Sequence, residues 1–223
     1  MPVETGALPT IDRPDVDTVL VSVITTPEPD VQRHVADAVA ERWRTAAWPG
    51  DLLALTCFRS TDGEAVLVYS QWGAEASARA FADDPAGVLG DRHVPGAATP
   101  ESVPFRLYRV VRGSAVTTPA PVPTCFPVAT FTMAEPERAR AWVDGLLAAE
   151  EDAEGADRAY PGALAANFHV SVDGGVVLVL SEWVSEAEAV AHIEQVWEPI
   201  LAGIGDGDVG RRYRHDVTFT APA

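Results

Sequence analysis

The chain has 223 residues, with 16 basic and 33 acidic side chains and a net charge of −17 at pH 7. Such a charge repels phosphate, which argues against a nucleic acid or an anionic membrane as partner and leaves small molecules or other proteins. With 47% hydrophobic and 22% charged residues the composition is that of an ordinary globular protein, long enough for two small domains or one large one, and wholesale disorder is excluded.

No apolar run approaches the roughly 20 residues that cross a bilayer, and Met1–Thr5 lacks the basic and then apolar pattern of a secretory leader. A cytoplasmic protein is therefore expected. Cys57 and Cys125 read as free thiols of a reducing compartment, with a single disulfide between them left open.

In chain order, residues 1–16 carry Pro2, Pro9 and Pro14 and read as a loose N-terminal arm. Residues 17–112 form a first domain. It opens with a strand rich in β-branched residues, Thr18 to Thr25. A helix follows with Val31, Val35, Ala38, Val39, Trp43 and Ala46 on one stripe. Strands Leu52 to Arg59 and Ala65 to Trp72 pair across the Asp62-Gly63 turn. A short helix over Glu75 to Asp83 and a strand over Phe105 to Val111 close the domain.

Residues 113–124, with Pro119, Pro121 and Pro123, form a stiff linker. A second domain, 125–220, repeats the order. Thr132-x-x-Glu135 before Pro136 reads as a capping box for a helix with Ala139, Trp142, Val143, Leu146 and Leu147 on one face; its acidic end, Glu150, Glu151, Asp152 and Glu154, reads as solvated. Ser185-x-x-Glu188 caps the second helix, whose stripe is Val190, Ile193, Val196, Trp197, Ile200 and Leu201.

The domains share more than their order. Val66–Trp72 and Val177–Trp183 are both apolar strands ending in Ser-x-Trp. Upstream, Asp62-Gly63 matches Asp173-Gly174, and Trp48-Pro49-Gly50 matches Tyr160-Pro161-Gly162 within one residue of register. The βαββαβ order is the ferredoxin-like unit, whose helices cover only one sheet face. The predicted fold is α+β: two fused ferredoxin-like units whose bare sheets meet in an intramolecular dimeric α/β barrel.

The strand ending Ser-x-Trp in this topology, carried by Ser70, Gln71, Trp72 and Glu75 and again by Ser181, Glu182, Trp183, Ser185, Glu186 and Ala187, resembles the antibiotic biosynthesis monooxygenase family of the dimeric α+β barrel superfamily. The resemblance spans both domains. It implies a site in the cleft between sheet and helices, and a cofactor-independent monooxygenase that uses molecular oxygen to convert an aromatic polyketide-type phenol or anthrone to a quinone. The same superfamily includes polyketide cyclases and haem-degrading enzymes. A cyclase or isomerase, or a binding or assembly protein without chemistry, is therefore the alternative. The haem-degrading members carry a tryptophan and a histidine where this chain has His192 and Ala202, so haem is not expected. Neither a metal nor a nucleotide cofactor is expected, because His-x-x-x-His, Cys-x-x-Cys and Gly-x-Gly-x-x-Gly motifs are missing.

The second domain holds the expected site. Asn167, His169 and Ser171 share one strand face by period two, and Trp183 follows on the neighbouring strand. Family members often carry Asn, His and Trp in such positions, so Asn167, His169 and Trp183 are the catalytic candidates. The indole N–H of the motif tryptophan would donate to a bound phenolate. Tyr213, His192, Trp72 and Tyr108 are the substrate-binding candidates. The first domain has Thr56 and Phe58 in place of Asn167 and His169 and is expected to be mainly structural. A monomer or a homodimer fits this arrangement.

Overall fold

The computed structural model of the protein describes residues 2–84, 87–154, 160–198 and 207–222. Ile200, Leu201 and Ala202 lie outside the described residues, as do the side chains of Glu150, Glu151, Asp152, Glu154, Val196 and Trp197. The fold is α+β, with antiparallel strands and, among the described residues, four α-helices, in two compact units. The first holds Met1–Arg106 and Tyr213–Ala223, the second Leu107–Arg212. Two long strands, β5 (Glu101–Arg112) and β9 (Gly207–Thr220), run through the division.

The first unit contains β1 (Val3–Thr5), β2 (Thr18–Thr25), α1 (Pro29–Thr45), β3 (Leu52–Ser60), β4 (Ala65–Trp72), α2 (Glu75–Ala82) and the adjoining parts of β5 and β9. Its strand order is β1-β9-β3-β4-β2-β5. The α1 stripe forms as its spacing requires: Val35, Val39 and Trp43 are buried against Leu20, Leu55, Val66 and Val68 in one continuous core. The N-terminal residues are not a loose arm. β1 pairs with β9, Ile11 is buried, and the Gln71 side-chain amide donates to the Thr10 carbonyl at 2.9 Å. Backbone groups left open along β9 are what draw this segment in.

The second unit contains β6 (Phe126–Thr132), α3 (Ala139–Glu154), β7 (Ala163–Ser171), β8 (Val176–Trp183), α4 (Glu186–His192) and the remaining parts of β5 and β9. β8 pairs with both β6 and β7. Just beyond β5, the Gly113 and Ala115 N–H groups donate to Leu164 and Ala163 carbonyls along β7 at 2.9 and 3.0 Å. The expected linker therefore begins as sheet-bonded chain. Thr132 ends β6 and caps nothing; α3 is entered through a turn of 3-10 helix, Pro136–Arg138, before which Glu135 makes no side-chain cap bond. Ser185 does cap α4, accepting from the Glu188 N–H at 3.3 Å. Both cysteines are buried, and burial raises the pKa of Cys57 far above its ordinary value.

The shared motifs have the same local job in each unit. In Ser60-x-Asp62-Gly63 and Ser171-x-Asp173-Gly174 the serine hydroxyl donates to the aspartate carboxylate, at 2.5 and 2.6 Å. It also accepts the N–H of the residue that starts the next strand, Ala65 or Val176. Gly63 and Gly174 take φ of 84° and 77°, the left-handed conformation that turn requires.

Candidate active site

The β7–β8 register decides which candidates can meet. Asn167 lies opposite Leu180 and His169 opposite Leu178, whereas Phe168 lies opposite Val179 and Ala166 opposite Ser181. Antiparallel partners share a face, so Val179, Ser181 and Trp183 stand with Ala166 and Phe168 on the side of the helices. Asn167 and His169 stand on the other side. The expected trio is therefore divided: Asn167 and His169 do not share a face with Trp183.

Both strand residues are hydrogen-bonded where they are. The Asn167 amide donates to the Leu180 carbonyl and to Glu182 Oε1, each at 3.0 Å. His169 Nδ1 donates to the Asn167 carbonyl at 3.0 Å. The His169 ring is 0% exposed, and burial lowers its pKa to about 4 against a partial upward pull from the Asn167 and Leu178 carbonyls.

The motif tryptophans spend their N–H groups within the fold. Trp183 Nε1 donates to Ser181 Oγ at 3.1 Å, and Trp72 Nε1 to Ser70 Oγ at 2.9 Å. Serine and tryptophan two apart on one strand face make this bond locally, so Ser-x-Trp orients an indole and does not offer its donor to a ligand. Trp72 packs against Phe81 in the first unit. Tyr213 is buried there opposite Ser60. Tyr108 belongs to the second unit, at its surface, where its hydroxyl donates to Asp144 at 2.7 Å and that bond raises the Tyr108 pKa. Arg109 holds the other Asp144 oxygen, and both contacts lower the Asp144 pKa.

What gathers around Trp183 is a cavity of about 90 Å³ within the second unit. Its floor is the helix-side face of the sheet, with Phe131, Phe168, Val179, Ser181 and Trp183; Leu147 of α3 and Val111 and Arg112 of β5 add walls. By count from Trp183 this space exists because the second unit places Ala163 and Ala166 opposite Trp183 and Ser181, where the first unit places Leu52 and Leu55 opposite Trp72 and Ser70. At roughly 10–15 Å³ of such space per water, the cavity holds several waters' worth of ligand.

His192, the last residue of α4, closes one side. α4 starts directly after β8, so nine residues from Trp183 bring the chain back over it. The imidazole lies 4.9 Å from the Trp183 ring and 4.3 Å from the Tyr160 ring, edge-on to the latter at 71°. Tyr160 is fixed by the Tyr-Pro-Gly turn: its carbonyl accepts from Ser114 Oγ and from the Ala163 N–H, and the Gly162 carbonyl accepts from Val184. The backbone after His192 widens into a π-helical turn, Ile193–Trp197, and Ile193 also lines the cavity. Of the substrate-binding candidates, His192 alone joins Trp183 here. Tyr160, Ala163, Ala166, Phe168 and Leu147 were not singled out as site residues by the sequence. The aromatic-Pro-Gly repeat did mark Tyr160, and the leucine-to-alanine exchanges between the paired strands mark the space beside it. Among the described residues no group of three His, Cys, Asp or Glu side chains could hold a metal ion.

No family model matches the chain, and no curated protein matches it. Among solved structures, an anthrone oxidase-like protein superposes with a TM-score of 0.70 at 14% identity, over 92% of this chain and 94% of that one. A protein named as a presumed monooxygenase from Fusobacterium nucleatum gives 0.53 at 10% identity, over 90% and 92%. A ferredoxin-fold protein of Listeria monocytogenes, related to antibiotic biosynthesis monooxygenases, gives 0.43 at 11% identity over 93% and 98%, too loose a match to add to the argument. These identities establish a shared fold alone. No helix among the described residues is long and apolar enough to cross a membrane.

Proposed function

We propose that the protein is a cofactor-independent monooxygenase of the antibiotic biosynthesis type, a fused pair of ferredoxin-like units whose second unit oxidises an aromatic phenol or anthrone. The observation that carries this reading is the apolar cavity of the second unit, with Trp183 as its floor and the His192 imidazole at its edge. The fold shared with an anthrone oxidase-like protein supports it.

The chemistry asks little of the chain. The cavity excludes water and stacks the ring of the substrate against Phe168 and Trp183. His192 takes a proton from the substrate, leaving an electron-rich anion that passes an electron to molecular oxygen. The radical pair joins as a peroxide anion, which takes the proton back from His192 to become a hydroperoxide and then loses water. In total an anthrone methylene gives up two hydrogens and gains one oxygen atom as the quinone carbonyl, and the second oxygen atom leaves as water.

The test is oxygen uptake with an anthrone substrate, comparing the natural protein with Ala166→Leu, which copies Leu55 and fills the cavity. One quinone formed per oxygen consumed, abolished in the filled variant, supports the reading. Equal turnover under strict anaerobiosis replaces it with a cyclase or isomerase. No turnover by the natural protein in either condition replaces it with a binding role.

A further inference from the structure

The Ser-x-Trp device is present in both units, but its two serines have different surroundings. In the first unit Ser70 is 1% exposed, with Leu20 and Leu55 opposite it on the flanking strands. Phe81, nine residues after Trp72 as His192 is nine after Trp183, packs on the Trp72 ring, and Trp43 packs on Phe81 in turn, with centroids 5.9 Å apart. In the second unit Ala166 stands opposite Ser181, and Ser181 is half-buried and lines the cavity.

Ser181 also lies where a bound ring must cross. Val179, Ser181 and Trp183 follow one another along one face of β8, and Phe168 lies opposite Val179. A ring stacked on Phe168 and Trp183 therefore lies over the serine between them. The Ser181 oxygen accepts the Trp183 N–H at 3.1 Å, and its own hydrogen goes to the Pro127 carbonyl at 3.4 Å. Good O–H···O bonds run from roughly 2.5 to 3.0 Å, so that hydrogen is loosely held and the hydroxyl can turn to a better acceptor. The indole N–H donated into the serine oxygen polarises it and makes its O–H the stronger donor.

We infer that Ser181 is a catalytic residue whose O–H donates to the substrate oxygen on which negative charge collects. When His192 takes the ring proton, the electron pair left behind delocalises onto the carbonyl oxygen, and a donor already aimed there favours the anion over the neutral substrate. Trp183 is a positioning residue: it donates to Ser181 and so strengthens the bond that Ser181 makes. This rests on the reading of the second unit as an oxygenase site, and adds the group that stabilises the anion. Asn167 and His169 cannot serve, because they stand on the other face of the sheet.

Anthrone under nitrogen is the probe, since its anion absorbs at longer wavelength than the neutral form and no oxygen is present to consume it. With protein in excess, absorbance titration gives the pH at which bound anthrone is half ionised. For the natural protein this pH should lie below that of anthrone in buffer. In Ser181→Ala it should rise by about 1–2 pH units, the effect of losing a hydrogen bond to a charged acceptor. Ser181→Cys has the same shape and a weak donor; it should behave as Ser181→Ala does, and it decides if the alanine variant does not fold. Ser181→Thr keeps the hydroxyl and should recover most of the shift. Trp183→Phe should move the pH in the same direction as Ser181→Ala, by less. Arg112, Tyr160 and His192, the titratable side chains lining the cavity among the described residues, are the same in all five proteins. A serine that only supports the fold would weaken anthrone binding and leave the half-ionisation pH unmoved. A natural protein that ionises anthrone no more readily than buffer does, or alanine and cysteine variants that match the natural protein, overturns the inference. The two readings fail separately. Serine-dependent ionisation with no oxygen uptake once air is admitted removes the oxygenase and keeps the role of Ser181; oxygen uptake with ionisation indifferent to Ser181 does the reverse.

Discussion

Trp183 donates its indole N–H to Ser181, two residues earlier on the same strand, at 3.1 Å, and this bond sets the angle at which the indole faces the cavity. Ser181→Ala removes the acceptor and leaves a largely buried donor unsatisfied, at a cost of about 1–3 kcal/mol. Trp183→Phe made with it removes the donor too, so the double variant should lose less than the sum of the single losses. Urea unfolding of the four proteins of this cycle measures the coupling. Strict additivity would show that the serine hydroxyl does not hold the ring.

The Asp-Gly turns carry a second expectation. A Cβ placed on Gly174 would lie 2.5 Å from the Pro136 backbone carbonyl oxygen, and one on Gly63 would lie 2.5 Å from Pro29 Cγ. Both glycines also have left-handed φ, which alone costs a side chain about 1–2 kcal/mol. Gly174→Ala should be the worse of the two, because a ring tip can shift where a backbone carbonyl cannot. Midpoints of chemical denaturation rank them; equal losses would remove the steric part of the argument.

The same motifs show how far the sequence reaches. Ser-x-Trp, Asp-Gly and aromatic-Pro-Gly are legible because each is a local device, closed within a few residues by a hydroxyl, a positive φ or a turn. The strands β2 and β4 fall where β-branched runs and the Asp62-Gly63 turn place them. What the sequence could not supply is which side of the sheet a strand face looks to. Period two puts Asn167 and His169 together, but β7 and β8 are buried on both faces, so no polar side marks the outside. A bulge between Ala163 and Ala165 then shifts the parity beside Trp183. Tyr108 and Tyr213 were misplaced for another reason: β5 and β9 each pass from one unit into the other, and nothing in a continuous strand signals the point of division.

His169 makes stability depend on pH. Its folded-state pKa is lowered to about 4 by burial, while in the unfolded chain the ring takes a proton below about pH 6.5. Between these values the unfolded state binds more protons, so this contribution to stability is complete above pH 6.5, declines as the pH falls toward 4 and levels off below. The full loss is about 3 kcal/mol at 1.36 kcal/mol per pH unit. Carboxylates titrate in the same window, so the quantity to measure is the difference between the natural protein and His169→Gln, by urea unfolding at pH 7, 5.5 and 4.5. That difference should shift by about 2–3 kcal/mol across the series in favour of the glutamine variant. A constant difference would mean that the ring titrates normally.

His192→Phe separates packing from chemistry at the cavity. The first unit already carries Phe81 at the corresponding place, tilted against Trp72 with centroids 5.1 Å apart, close to the 4.9 Å of His192 and Trp183. Phenylalanine should therefore be accepted without loss of stability, since it keeps the ring contacts with Trp183 and Tyr160 and buries no nitrogen. It cannot take a proton. If His192 is the base, kcat for oxygen uptake should fall about 10²–10⁴-fold while KM changes little, because ring stacking is retained. If His192 only shapes the cavity, the phenylalanine variant should keep kcat near that of the natural protein. A kcat within threefold of the natural value, at an unchanged melting temperature, would move the search for the base to another group that reaches the bound ring.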